Sequence, residues 1–170
     1  MSSKTWDVVV VGGGHAGIEA ALIASKLGSS TAIITMDPIA FGRMSCNPAI
    51  GGLAKGQIVR EIDMLGGIMA KVTDTSALQI KTLNKKKGRA VWSPRAQTDK
   101  REYERQIKTI IKKSNVDIII GEAVSISIKN NKMRSFRLRD ERTVYCECGI
   151  ITAGTFLSGV VHVGERKILA

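Results

Sequence analysis

The stretch "DVVVVGGGHAGIEAALIASKLG", residues 7–28, decides the fold. Asp7 to Val11 is β-branched and almost unbroken by polar residues, which predicts a strand buried in a parallel sheet. Gly12, Gly14 and Gly17 follow it with G-x-G-x-x-G spacing. Gly12 permits a tight turn, Gly14 lets a pyrophosphate approach the backbone, and Gly17 lets helix and strand pack closely. The helix that follows runs to Gly28, a C-terminal stop, and its N–H groups and positive end face the phosphates. Thr31 to Thr35 makes a second β-branched strand and completes a βαβ unit. The unit predicts dinucleotide binding, with Gly12, Gly13, Gly14, His15, Ala16 and Gly17 in the cradle. His15 has two readings, contact with the cofactor or exposure to solvent. A carboxylate is expected at the end of the second strand, where it would clamp a ribose. That position holds Thr35, a weaker clamp, with Asp37 two residues on.

Beyond this unit, Met36 to Gly52 is loop-like, with Pro38, Pro48 and several glycines. A helix is expected from about Leu53 to Leu65, with Ala54, Ile58, Ile62 and Leu65 on one face, ended by Gly66-Gly67. Leu78 to Leu83 alternates weakly as a strand. Asn84 to Arg89 is a basic turn, and Ala90 to Trp92 is expected to return as a strand interrupted at Pro94. A helix is predicted from about Asp99 to Lys113, with the stripe Tyr103, Ile107, Ile110 and Ile111. Asp99 and Glu102 have capping-box spacing. Val116 to Ile120 reads as a buried strand. Val124 to Ile128, Phe136 to Leu138 and Thr143 to Cys148 read as an antiparallel meander, with a turn at Asn130-Asn131. Gly149 to Leu157 reads as a strand entering a glycine turn. No internal repeat or low-complexity linker interrupts the chain.

The chain has 170 residues, 44% hydrophobic, 24% charged and 4% aromatic, the composition of one globular domain with an aliphatic core. The formal net charge of +11 points to a polyanionic partner, with nucleic acid first and a solvated basic face as the other reading. Cys46, Cys146 and Cys148 are odd in number and lack a disulfide-framework spacing, which fits reduced thiols in a cytoplasmic protein. Cys146-x-Cys148 would make a strained bridge and reads as packing. His162 carries no assigned role, and no histidine–cysteine spacing predicts a metal. No apolar run approaches the ~20 residues needed to span a membrane, and with the first strand starting almost at once neither a signal peptide nor a long transit peptide is expected.

The order of these elements resembles the FAD domain of glutathione-reductase-like flavoproteins, an α/β Rossmann-like fold with an inserted antiparallel β-meander. On that resemblance Thr152, Gly154 and Thr155 lie near the cofactor, and the backbone of Val124 contacts adenine. A sharper likeness is carried by "GGGHAGIEAA", "MSCNPAIGGLAKGQIVREIDMLGG", the pattern LN…KG.AV…RAQ.D and "TAGTFLSG". From about Trp6 to Gly164 the chain resembles the large flavoprotein subunit of the tRNA uridine 5-carboxymethylaminomethyl modification enzyme, the GidA or MnmG family.

The resemblance implies FAD as cofactor, with NADH and methylene-tetrahydrofolate as co-substrates. It implies a homodimer that works with a GTPase partner of the MnmE type on the wobble uridine of tRNA. Ser45, Asn47, Gly51, Gly52 and Lys55 are then a flavin-side loop, and Cys46 is either a nucleophile toward the uracil ring or a small packing residue. Lys85, Lys86, Lys87, Arg89 and Arg95 are candidate tRNA phosphate contacts, or a solvated turn. Family chains are roughly four times longer, so residues 1–170 are expected to be a truncated N-terminal FAD-binding domain. Its parts would be a βαβ core (6–36), a flavin loop and helices (37–115), a strand and meander (116–148) and a returning strand (149–157). Activity of this piece alone is not expected. Two other readings stand beside this one: a generic FAD/NAD(P)-dependent oxidoreductase of a small molecule, and a non-catalytic dinucleotide-binding fragment.

Overall fold

The computed structural model of the chain describes residues 4–45, 47–155, 157 and 159–169. The elements are β1 (Thr5–Val11), α1 (His15–Lys26), β2 (Thr31–Thr35), β3 (Ala49–Gly51), α2 (Lys55–Met64), α3 (Met69–Ser76), β4 (Ala77–Leu83), β5 (Ser93–Thr98), α4 (Lys100–Lys113), β6 (Val116–Ile120), β7 (Ala123–Lys129), β8 (Lys132–Leu138), β9 (Thr143–Ile151), β10 (Val160–Val163) and β11 (Arg166–Leu169). Single 3₁₀ turns lie at Pro38–Ala40 and Arg89–Val91.

The main sheet has the order β6-β2-β1-β9-β8-β7. The first four strands in that order are mutually parallel, and β8 and β7 complete an antiparallel meander. β1 lies between two parallel neighbours, and Val9 and Val10 are both 0% exposed on opposite faces. That is why this segment is apolar without alternation. Val10 and Ile33 face a cluster built with Ile18 and Ala21 of α1 and Tyr103, Ile107 and Ile111 of α4. Val9, Ala32 and Ile34 face Phe136 and Leu138 of β8 and Val144 and Cys146 of β9. The meander therefore covers the second face of the sheet, as the α/β fold with an inserted meander requires. A separate three-stranded antiparallel sheet, β3-β5-β4, lies beside it.

Several local expectations hold. Gly28 sits just past α1 at φ +94, and its N–H donates to the carbonyl of Ser25. Asn130 and Asn131 both have positive φ, 53° and 57°, which is the backbone of a type I′ hairpin turn. Asp99 caps α4 by accepting from the N–H groups of Arg101 (2.8 Å) and Glu102 (3.0 Å). The capping box is only half made, because Glu102 turns to Arg105 and Gln106 instead of reaching back.

Other expectations are corrected. Ala90 to Trp92 is not a strand; residues 89–91 form the 3₁₀ turn and the returning strand is β5, which contains Pro94. β3 ends opposite Arg95, so the missing Pro94 N–H loses no ladder bond with it. β6 is an edge strand, with Ile118 and Ile120 43% and 55% exposed, because no strand lies beyond it. The segments 143–148 and 149–157 are not two pieces: β9 runs unbroken from Thr143 to Ile151 and serves both the meander and the parallel sheet. The expected apolar stripe of α2 is open, with Ile58 and Leu65 exposed; the residue that packs inward is Gly56, against Ser93 and Pro94 of β5.

Helix α3 has no counterpart in the sequence reading. Its own N-cap residue, Ile68, supplies no side-chain bond. The cap comes from α1, where the Glu19 carboxylate accepts from the N–H of Ile68 (3.1 Å) and of Met69 (2.6 Å). A carboxylate at a helix N-terminus satisfies orphan donors and opposes the helix dipole. Glu19→Ala is expected to lower stability by about 1–2 kcal/mol, read as a fall in the urea midpoint. An unchanged midpoint would show that the bond contributes nothing.

Cys146 is 1% exposed and packs among the meander residues. Burial pushes its thiol up to about 11, with Cys148 and Glu147 adding to the shift. The folded chain thus holds this proton more tightly than the unfolded chain does. Stability from this group is present below the ordinary thiol range and is lost as pH rises from about 9 to about 11. With iodoacetamide at pH 8, exposed Cys148 is expected to alkylate in the native protein, and Cys146 only after unfolding. Peptide mapping reads this directly; native labelling of Cys146 would contradict the packing.

Candidate functional site

In an open α/β sheet, ligands bind beyond the carboxyl ends of the strands, where neighbouring connections leave in opposite directions. Here that point lies between β1 and β9. The chain leaves β1 toward β2 and β6 on one side, and β9 returns on the other. The turn after β1 and the residue after β9 meet there. The Thr152 N–H and its Oγ1 both donate to the carbonyl of Val11 at 2.8 Å. Thr152 is therefore a brace beneath the glycine turn.

The glycines of that turn divide by what a side chain would meet. Gly12 has φ +110, and a Cβ there would lie 2.5 Å from the Thr152 carbonyl oxygen. A Cβ on Gly17 would overlap the Gly12 carbonyl oxygen and lie 2.6 Å from Thr152 Oγ1. A Cβ on Gly13 would lie 2.9 Å from the Phe41 ring and 3.1 Å from Thr35 Oγ1. Gly14 is different: a Cβ there would meet nothing within 4 Å. Gly14 is the N-cap of α1, extended at φ −76 and ψ −178, and no side chain caps the helix. No side chain therefore takes up the first N–H groups of α1 at the switch point, the arrangement that accepts a phosphate.

Thr35 is buried beside this turn, and its Oγ1 lies 3.3 Å from both the N–H and the carbonyl oxygen of Asp37. Asp37 does not replace the missing ribose carboxylate. It accepts from the Ile39 N–H (2.8 Å) and pairs with Arg43 (3.3 Å). The Thr35 carbonyl accepts from the Gly121 N–H (2.9 Å), which joins the ends of β2 and β6. Past those ends lies an open cavity of about 400 Å³ lined by Met36, Ile120, Gly121, Glu122, Arg139 and Asp140. Glu122 and Arg139 form a two-pronged pair at 2.6 Å on its rim, which holds the Glu122 carboxyl below its ordinary range. Sequence reasoning missed this cavity. Its one local signal is the Gly121-Glu122 pair immediately after a strand.

His15 faces inward. Its ring lies 5.6 Å from that of Tyr103, tilted by 41°, and its Nε2 is buried without a hydrogen-bond partner among the described residues. Burial lowers the imidazole pKa, against an opposing pull from Glu104. Of the other expected residues, Ala16 is exposed in the first turn of α1. Gly154, at φ +61, and Thr155 are exposed in the turn after β9. Val124 is the second residue of β7 and lies two positions beyond Glu122 of the cavity rim.

Gly51, Gly52 and Lys55 form a second group where β3 passes into α2. Gly51 and Gly52 have φ of +90 and +102, and a Cβ on Gly51 would overlap the Pro94 carbonyl oxygen. The Gly52 N–H donates to that same oxygen (2.9 Å); close backbone packing on β5 accounts for Gly51, and the positive φ alone for Gly52, where a Cβ would meet nothing within 4 Å. Lys55 is the exposed first residue of α2. The loop between the two groups is tied to the glycine turn at one end and to β5 at the other. The Gly42 N–H donates to the Gly13 carbonyl (3.3 Å), and the Pro48 carbonyl accepts from the Thr98 N–H (2.9 Å). Exposed Ser45 donates to the Asn47 carbonyl (3.3 Å) within it. Cys46 lies outside the described residues. Among the described residues, no group of three His, Cys, Asp or Glu side chains is placed to hold a metal, and no helix is long and apolar enough to cross a membrane.

Fold and site together define a Rossmann-like α/β domain with a glycine turn and an uncapped helix N-terminus at its switch point. The same fold is seen in pqsL, a probable FAD-dependent monooxygenase from Pseudomonas aeruginosa (TM-score 0.59, 15% identity, 86% of this chain and 42% of that one). The chain belongs to the Glucose inhibited division protein A family, whose profile matches residues 7–170. It is 46% identical over 168 residues to the tRNA uridine 5-carboxymethylaminomethyl modification enzyme MnmG of Karelsulcia muelleri (strain GWSS), covering 98% of this chain and 28% of that protein. It superposes on the crystal structure of Aquifex aeolicus GidA with a TM-score of 0.91 at 47% identity, covering 97% of this chain and 28% of that chain. The chain thus spans little more than a quarter of the length of these relatives.

Proposed function

We propose that residues 1–170 are the N-terminal FAD-binding part of an FAD-dependent tRNA-modifying enzyme. The observation that carries the FAD assignment is the contrast within the glycine turn. Gly12, Gly13 and Gly17 are accounted for by the protein's own packing, and Gly14 is left open at an uncapped helix N-terminus. A pyrophosphate there would accept from the first N–H groups of α1. Thr35 would take a ribose hydroxyl, and the adenine would enter the cavity past β2 and β6 near Val124. Gly154, Thr155, Ser45, Asn47 and Lys55 would approach the flavin end. When bound, FAD supplies redox chemistry; this chain's residues hold and orient it. His15 packs beneath the cradle against Tyr103 and would support the turn from below.

The reaction assigned to the parent-length protein is the installation of the (carboxymethyl)aminomethyl group at the 5-position of the wobble uridine. NADH and methylene-tetrahydrofolate would be its co-substrates, with a GTPase partner and a homodimeric enzyme. Support comes from family membership and from 46% identity to a protein that bears this activity in its name. Cys46 is assigned as the thiol that adds to the uracil 6-position and so activates the 5-carbon. The test is nucleoside analysis of tRNA from cells carrying the parent-length gene or its Cys46→Ser variant. The variant is expected to lose modification by about 100-fold or more, as for removal of a covalent nucleophile. Full modification with Cys46→Ser would overturn the nucleophile role. Absence of the modified wobble nucleoside with the unmutated gene would overturn the function itself.

A further inference from the structure

Between Thr75 and Thr98 the chain carries six cations, Lys81, Lys85, Lys86, Lys87, Arg89 and Arg95, and no carboxylate. β4, the turn at 84–92 and β5 gather them on one hairpin. Elsewhere five arginines are matched, Arg43 with Asp37, Arg105 with Glu102, Arg137 with Glu141, Arg139 with Glu122 and Arg142 with Asp140, while Arg60, Arg101, Arg134 and Arg166 stand singly and apart in sequence rather than gathered on one hairpin. Among the described residues, none of the six hairpin cations meets a carboxylate within 4.0 Å. Lys81 and Arg95 are direct cross-strand partners, a like-charge pairing that weakens an isolated hairpin.

The turn is nonetheless built, not loose. Trp92 Nε1 donates to the Lys87 carbonyl (3.0 Å), and the Asn84 side chain donates to the Val91 carbonyl (3.3 Å). The Arg89 guanidinium lies over the Trp92 ring at 5.7 Å, and Trp92 is 38% exposed. Gln57 of α2 ties the Trp92 carbonyl to the rest of the fold (3.3 Å). Unmatched cations around a fixed, partly exposed aromatic ring are the composition of a surface for single-stranded nucleic acid, with phosphates on the cations and a base on the ring.

We propose that the β4–β5 hairpin is an RNA-docking element: Lys85, Lys86 and Lys87 hold phosphates, and Trp92, backed by Arg89, receives an unpaired base. This deepens the tRNA reading above and rests on it. The test uses this chain with bulk tRNA. Lys85→Gln/Lys86→Gln/Lys87→Gln is compared with Lys108→Gln/Lys112→Gln/Lys113→Gln on α4, which removes the same charge from another basic face. The hairpin variant is expected to bind about tenfold more weakly, with the slope of log affinity against log salt reduced by about 2. The α4 variant is expected to stay within about twofold of the unmutated chain. In a Trp6→Phe background Trp92 is the remaining tryptophan, and its emission is expected to be quenched by tRNA.

Equal weakening by the two triple variants, unquenched Trp92 emission, or no tRNA binding by the unmutated chain would each overturn the proposal. So would displacement of tRNA by polyglutamate at equal charge, which would point to an acidic protein partner. The wobble-nucleoside assay on the unmutated parent-length protein tests the tRNA function alone, so the two failures are distinguishable.

Discussion

Gly14→Asp is expected to abolish FAD binding while leaving the fold as stable as before or more so. The backbone of Gly14 is already in the extended conformation of an N-cap residue, and there is room for a side chain. Aspartate is among the best N-cap residues because its carboxylate accepts from the second or third N–H of the helix. Those are the donors a pyrophosphate would use. The substitution thus removes the donors and places a negative charge in the anion's seat, while improving the cap by a few tenths of a kcal/mol. FAD affinity is expected to fall by about 100-fold or more with an unchanged or higher Tm. Retained affinity would place the cofactor elsewhere.

Gly17→Val has the opposite signature. Its first side-chain carbon would overlap the Gly12 carbonyl oxygen and crowd Thr152 Oγ1, which lie on residues held by the Gly12 N–H bond to Ile34 and the Thr152 N–H and Oγ1 bonds to Val11. Relief requires α1 to move off the sheet, which opens the cluster of Val10, Ile18, Ile33 and Tyr103. The expected loss is about 3 kcal/mol or more, a large part of the stability of a domain this size. Urea unfolding reads it, and an unchanged midpoint would contradict the close packing of α1 on β1. Two glycines of one motif therefore separate into a ligand seat and a packing contact.

The βαβ unit was legible because its signals are local and agree: a continuous β-branched run, three spaced glycines, a helix stop at Gly28 and a second β-branched run. The meander was legible from its alternation and from Asn130-Asn131. What was not legible depends on residues far apart in sequence. Helix α3, "MAKVTDTS", has little apolar periodicity, and its cap comes from Glu19 some fifty residues earlier. Pro94 reads as a strand breaker unless the end of β3 opposite Arg95 is known. Val116 to Ile120 is as apolar as β1, and nothing in its own sequence tells an edge strand from a central one. At the site, the glycine turn was found from its spacing. Thr152 was placed beside it only through the family resemblance, and its role as a brace needed the pairing of β1 with β9. The cavity past β2 and β6 needed the bond between Gly121 and Thr35.

On the proposed function, the switch point between β1 and β9 seats the pyrophosphate of FAD. Calorimetric titration of this chain with FAD, repeated with ADP as competitor, reads this seat without requiring catalysis. The seat, the Thr35 hydroxyl and the cavity beyond β6 all belong to residues 1–170, and together they would hold the ADP half of the cofactor. Saturable binding at one FAD per chain, competition by ADP, and loss of both in Gly14→Asp are expected. Absence of saturable binding, or equal binding by Gly14→Asp, would contradict that seat.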